Sequence, residues 1–240
     1  MIGIVVNPKT KEPLIVEPYA IGSHYFYYKL WTIEDYLLKD NKSLNISEVA
    51  SGKLSKPSTK SIHCHEIRDI PSYVSGYPRV DSMVAKDLIG RGYGTAIYAA
   101  ATVSSIQFDE TLQGGISSSK ESRTHLANQW WDNMYNNDLS DRTVYNFTCI
   151  NPSTKQVENK SIEIDTMSLN DFIDMKTIIA YTDRENNIRF FDQKSCSQAK
   201  WSNLGSFVIE EFIEKILKIT SSNNKHKNEL INYLTSFIGK

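Results

Sequence analysis

Residues 87–101 read DLIGRGYGTAIYAAA, and no other stretch limits the fold of this chain as strongly. Gly90, Gly92 and Gly94 stand at alternate positions, where the backbone has most freedom and no side chain blocks a close approach. The segment that follows, TAIYAAATVSSI (95–106), is helical because of its alanines. The segment ahead, RVDSMVAK (79–86), alternates as a strand does after the turn cluster PSYVSGYP. A strand that passes through closely spaced glycines into a helix N-terminus exposes several backbone N–H groups. With the helix dipole they form an anion site, and glycine lets a phosphate come near the main chain. No Lys-Ser/Thr pair follows the last glycine, so this is not a Walker A loop, and G-x-G-x-G is not GxGxxG. A tight strand-to-helix connection without any ligand is the plain alternative.

The flanking pattern is mixed. GIVVN (3–7) and PLIVEPY (13–19) predict an antiparallel hairpin, and TIEDYLLKD (32–40) a helix capped by Thr32. Residues 41–60 read as a loop, and KSIHCHEIRD (60–69) as a strand. GGISSS (114–119) is a short strand or loop, and ESRTHLANQWWDNMY (121–135) is a helix on the spacing of Leu126, Trp130 and Met134. TVYNFTCI, TIIAYTD and IRFFD supply strands between 143 and 192, with SLNDFIDM (168–175) a short capped helix among them. Two amphipathic helices, 206–219 and 227–238, close the chain, and their apolar stripes must be buried on the domain or on a second copy. The aromatic cluster Tyr25, Phe26, Tyr27, Tyr28 and Trp31 is either core or the wall of an acceptor site.

Composition narrows the partners. With 40% hydrophobic and 23% charged residues the chain is globular, and its net charge of −1 supplies no general basic field, so no nucleic-acid partner is expected. No apolar run approaches the roughly 18 residues of a membrane span, and MIGIVV is too short for a signal-peptide core, so neither membrane nor export is expected. Cys64, Cys149 and Cys196 are odd in number and widely spaced, which suggests neither a disulfide framework nor a zinc ribbon and fits a reduced, cytoplasmic setting. His63 and His65 share a strand face beside Glu66. Two histidines make half a metal site at most, so no metal is assigned.

Ile89-Gly90-Arg91-Gly92-Tyr93-Gly94-Thr95-Ala96-Ile97-Tyr98 resembles the pyrophosphate loop of the GNAT superfamily of N-acetyltransferases, whose pattern is Arg/Gln-x-x-Gly-x-Gly/Ala after the fourth strand. The resemblance covers residues 60–150 and implies a mixed, largely antiparallel sheet with helices on both faces, an α/β (α+β) fold. It further implies that Gly90, Arg91, Gly92, Tyr93, Gly94 and Thr95 hold the phosphates of acetyl-CoA, that the strand at 81–86 pairs with its pantetheine arm through main-chain groups, and that Met83, Val84 and Ala85 polarise the thioester carbonyl with their backbone amides. A small-molecule or protein amine would be the acceptor. The family's first Arg/Gln falls on Ile89, and the Tyr that many members use as acid falls on Trp131, in the helix bearing Ala127. Tyr135, one turn later, is the nearest substitute, and Glu66 is the candidate base by its place on the strand before.

The chain thus divides into an acetyltransferase-like domain at 1–150 and a C-terminal extension of strands and two helices at 151–240, with self-association through those helices as an option. The SSS run before a W…Y helix also resembles a divergent subset of such proteins associated with bacteriophages, which would place the chain in a host cytoplasm or a virion. Ile89 and Trp131 leave a rival open: a module that kept this scaffold without its chemistry.

Overall fold

A computed structural model describes residues 3–39, 46–56, 77–84, 86–108, 114–151, 153–182 and 188–190, with Asn228, Ile231 and Asn232. The N-terminal hairpin forms from β1 (Gly3–Val6) and β2 (Pro13–Ile21), with Gly3 opposite Val16 and Val6 opposite Pro13. The aromatic run is itself a strand, β3 (Tyr25–Thr32). It ends where the Thr32 hydroxyl accepts the Asp35 amide at 3.0 Å and starts α1 (Ile33–Leu38). Then come β4 (Ala50–Ser55), β5 (Arg79–Val84), α2 (Tyr93–Phe108), β6 (Ile116–Ser119) and α3 (His125–Asn136). β7 (Asp141–Ile150), β8 (Val157–Met167), α4 (Leu169–Asp174), β9 (Ile178–Thr182) and β10 (Ile188–Phe190) follow. Single 3-10 turns at 86–88 and 120–122 precede α2 and α3.

Among the described residues ten strands form one sheet in the order β10, β9, β1, β2, β3, β4, β5, β6, β8, β7. Every neighbouring pair is antiparallel except β5 with β6. The strands after residue 150 lie in the same sheet as those before it. α2 crosses β1 to β6 and β9, and all its residues except Gly94 and Thr95 are buried. Alanines at 96 and 99–101 keep it thin enough to lie close on the strands, where Leu14, Val16, Phe26, Tyr28, Leu30 and Leu54 join its core. On the other face, Ile15 and Glu17 alternate with those core residues, and α1 packs there through the Lys39–Glu17 ion pair and Tyr36. The fold is α/β, a mixed and largely antiparallel sheet with helices on both faces.

The segment expected to be loop at 41–60 contains β4. Ala50, Gly52 and Leu54 are buried in alternation, but Ser, Gly and Ala are poor strand formers, and pairing with β3 and β5 is what holds them extended. β8 was equally silent in the sequence: its exposed Asn159, Lys160 and Ser161 are held by β7, residue for residue. β5 stops at Val84, two residues short of the expected end. Cys149 is disulfide-bonded, against the expectation of reduced thiols. Spacing along a chain does not report distance in a fold, and the partner cysteine lies outside the described residues. So do the strand expected at 60–69 with His63, His65 and Glu66, and the bodies of both C-terminal helices. No described helix is long and apolar enough to cross a membrane.

Candidate functional site

The glycine loop is held from below by the β1–β2 turn. Asn7, fully buried, accepts the Lys9 and Thr10 amides on Oδ1 at 3.0 and 3.3 Å and donates from Nδ2 to the Arg91 carbonyl at 3.0 Å. The Lys9 ammonium donates to the Gly90 carbonyl at 2.8 Å, and the Tyr93 hydroxyl donates to Glu12 at 2.8 Å. Gly90 and Gly92 have φ of 79° and 95°. A Cβ at Gly92 would lie 2.2 Å from Asn7 Oδ1, so the loop crosses Asn7 only because that residue is glycine.

This grip sets the direction of the amides. In a trans peptide the carbonyl and the next N–H point opposite ways, so a carbonyl of Arg91 aimed down at Asn7 turns the Gly92 N–H away from it. Arg91 N–H bonds back to Leu88 and Ala96 N–H to Gly92, while the amides of Gly92, Tyr93, Gly94 and Thr95 find no acceptor among the described residues. α1, α3 and α4 are capped by the hydroxyls of Thr32, Thr124 and Ser168, whereas the longer α2 starts at Tyr93, directly after Gly92, which has no side chain to cap it. Its positive end is therefore open. Arg91 and Lys9 are both exposed beside it.

β5 and β6 fork next to this end of α2. Arg79 pairs with Ser117, and the Ser117 amide donates to Pro78 at 2.9 Å. Beyond that point β5 pairs only with β4, Ser82 against Gly52 and Met83 against Ser51, while all four residues of β6 pair with β8. Alternate main-chain groups of β5 past Arg79 thus face the fork without a β6 partner. The backbone of Met83 and Val84 ends β5 there; Ala85 lies outside the described residues.

Aromatic side chains close the fork on the α3 side. Tyr98 stacks on Trp130 at 4.3 Å and meets the edge of Trp131 at 5.4 Å, and Trp130 Nε1 donates to the Thr95 hydroxyl at 2.8 Å. The Tyr98 hydroxyl lies beside Trp131, Ser82 and Arg123, and burial raises its pKa. Behind it runs an ion network. Arg123 and Arg142 both bond Asp165 at 2.6 Å, Arg142 continues to Asp132 at 2.7 Å, and Arg123 also holds the Ser118 carbonyl at 2.6 Å. Bonds to Asp165 and Asp132 hold the Arg142 guanidinium above its ordinary pKa, while burial pulls Arg123 down.

The expected site residues divide accordingly. Gly90 to Thr95 come together at the helix end with Met83 and Val84 close by along the chain. The Tyr93 side chain is spent on Glu12: burial first, and then that hydrogen bond, push its hydroxyl up to about 12, so only its amide is left for a ligand. Tyr135 is half exposed on α3 with the Arg142 guanidinium 4.6 Å from its ring. Ile89 is half exposed in the loop, and the ammonium of Lys9 stands next to it at Gly90. Asn7, Lys9, Glu12 and Arg123 were not anticipated. The Asn-Pro-Lys turn announces itself in the sequence, but nothing there ties it to residues 90–93. Among the described residues no group of acidic, histidine or cysteine side chains is placed to hold a metal ion.

No family model matches the chain, and no curated protein matches it. Solved structures similar to it include two chimeras of spermidine N-acetyltransferase SpeG from Vibrio cholerae and hSSAT, each 7% identical, with TM-scores of 0.34 and 0.35. Both align over 63% of this chain and over 70% and 69% of their own. A mutant cAMP-binding acyltransferase from Mycobacterium smegmatis is 12% identical over 70% of this chain and 49% of its own, with a TM-score of 0.32. Likeness at this level adds no weight to the geometry of the site.

Proposed function

We propose that this protein is an acyl-CoA-dependent N-acyltransferase that moves the acetyl group of acetyl-CoA to the amine of a small molecule or a protein. The carrying observation is the uncapped N-terminus of α2, with its free amides at Gly92, Tyr93, Gly94 and Thr95, set beside a fork in the only parallel strand pair of the described sheet. The loop takes the pyrophosphate, with Arg91 and Lys9 as cations; Lys9 supplies the charge that Ile89 lacks. The pantetheine arm lies along Met83 and Val84 and uses the main-chain groups that β6 leaves unpaired. There β5 amides polarise the thioester carbonyl, the amine nitrogen attacks it, the C–S bond breaks, and the amine proton passes to a base. Glu66 as that base and Tyr135 as the acid for the leaving thiolate belong to the proposal by position.

One observation favours a second reading, a module with this scaffold and no chemistry. Trp130 takes up the Thr95 hydroxyl, and Tyr98 with Trp131 occupies the α3 side of the fork. Thiol release from acetyl-CoA in the presence of polyamines and lysine-bearing peptides separates the two. The enzyme shows amine-dependent release that Gly94→Glu abolishes; the silent module shows none with any amine.

A further inference from the structure

Arg123 and Trp131 carry buried polar groups that this scheme leaves idle. The Arg123 side chain is 3% exposed and spends Nη2 on Asp165 and the Ser118 carbonyl and Nε on the Ser118 hydroxyl at 3.0 Å. Its Nη1 has no partner. Trp131 is fully buried with its Nε1 also unpartnered, and the Arg123 guanidinium lies 5.0 Å from its ring. The Tyr98 hydroxyl sits beside that indole, near enough for the indole to ease the ionisation of Tyr98 but outside the geometry of a full hydrogen bond. Tyr98 reaches Ser82 on β5 and Arg123 holds Ser118 on β6, so the idle donors sit at the fork itself.

Charge points the same way. Of the network's side chains, the best buried are Arg123 at 3%, Arg142 at 15% and Asp165 at 0%, two cations around one anion. The other acids, Asp132 and Glu163, are 43% and 33% exposed and reach Arg142 and Lys120 from the rim. Native proteins rarely leave a buried guanidinium with unused N–H groups. A carboxylate answers both deficits, one oxygen on Arg123 Nη1 and the other on Trp131 Nε1.

We infer that Arg123 and Trp131 form a buried carboxylate receptor at the β5–β6 fork, so that the preferred acyl donor is one whose chain ends in a carboxylate. The donor class rests on the acyltransferase reading; the receptor does not. The full chain labelled with 15N gives each of its 4 tryptophans an indole N–H signal, and Trp131→Phe identifies the one from Trp131. Succinyl-CoA is to bind about tenfold more tightly than acetyl-CoA, the worth of a charge-assisted hydrogen bond. It should shift the Trp131 indole signal saturably, and Trp131→Phe should erase its advantage. Equal affinity for both thioesters with an unmoved indole signal overturns the receptor and leaves CoA binding standing. Equal shifts with both also overturn it, because the donors then serve the thioester carbonyl. If neither thioester binds while free succinate moves the Trp131 signal, the receptor stands and the acyltransferase reading falls. If no ligand moves that signal, the receptor falls.

Discussion

At the scale of single residues, Gly92 and Gly94 look alike in sequence and differ in physics. Gly92 has a φ of 95° and Asn7 Oδ1 where a Cβ would go, while Gly94 has open space around it and no unusual backbone. Gly92→Ala should therefore cost about 2–4 kcal/mol, from backbone strain and the displaced Asn7 bonds. Gly94→Ala, inside a helix, should gain roughly 0.5–1 kcal/mol. Urea unfolding of both variants checks the contrast. Tyr93 gives a prediction in pH. Its hydroxyl is raised from an ordinary 10.0 to about 12 by burial and Glu12, so the folded state holds that proton more tightly than the unfolded chain does. The resulting stability is full below pH 10 and is lost as pH rises through about 12. Relative to Tyr93→Phe, the wild type should lose its advantage between about pH 10 and about pH 12. A gap that stays constant across that range would contradict the assignment.

At the scale of elements, the β1–β2 turn positions the α2 loop, two segments more than 80 residues apart in sequence. Asn7→Ala removes three side-chain hydrogen bonds. It should cost about 2–3 kcal/mol in unfolding and loosen the loop enough to weaken acetyl-CoA binding about tenfold. Unchanged affinity in a folded Asn7→Ala would show that the turn does not set the amides. This pairing also marks where sequence reading stops. The hairpin, Thr32 and Ser168 as caps, the alanine helix and α4 were legible because their signals are local: alternation, a hydroxyl before an acidic turn, a run of good helix formers. β4 and β8 were not, since Gly52 and Ser161 are extended only by virtue of neighbouring strands. For the site, the glycines were legible and the residues gripping them were not: Asn7, Lys9 and Glu12 acquire their roles through contacts that no spacing encodes. The pairing of Cys149 escaped for the same reason.

At the scale of the whole molecule, one sheet joins strands from both ends of the described chain, and α2 threads its centre with one end buried and the other left open. Among the described helices α2, the longest, alone lacks a side-chain cap, and its open end lies beside the described parallel pair that separates. A Ser or Thr cap is worth about 1 kcal/mol at an ordinary helix start, but the positive φ of Gly92 and the Asn7 side chain beneath it leave no place for one, so the loop that fits Asn7 keeps its amides open. The central claim is that this end binds the phosphates of CoA. The most direct measurement is isothermal titration of acetyl-CoA and free CoA into the wild type, Gly94→Ala and Gly94→Glu, each first shown to be folded. The expected result is binding at roughly micromolar ligand for the wild type and Gly94→Ala, and at least a hundredfold loss for Gly94→Glu, whose carboxylate has room to enter the phosphate position. Absence of binding to the wild type at about millimolar ligand, or equal binding by Gly94→Glu, would contradict it.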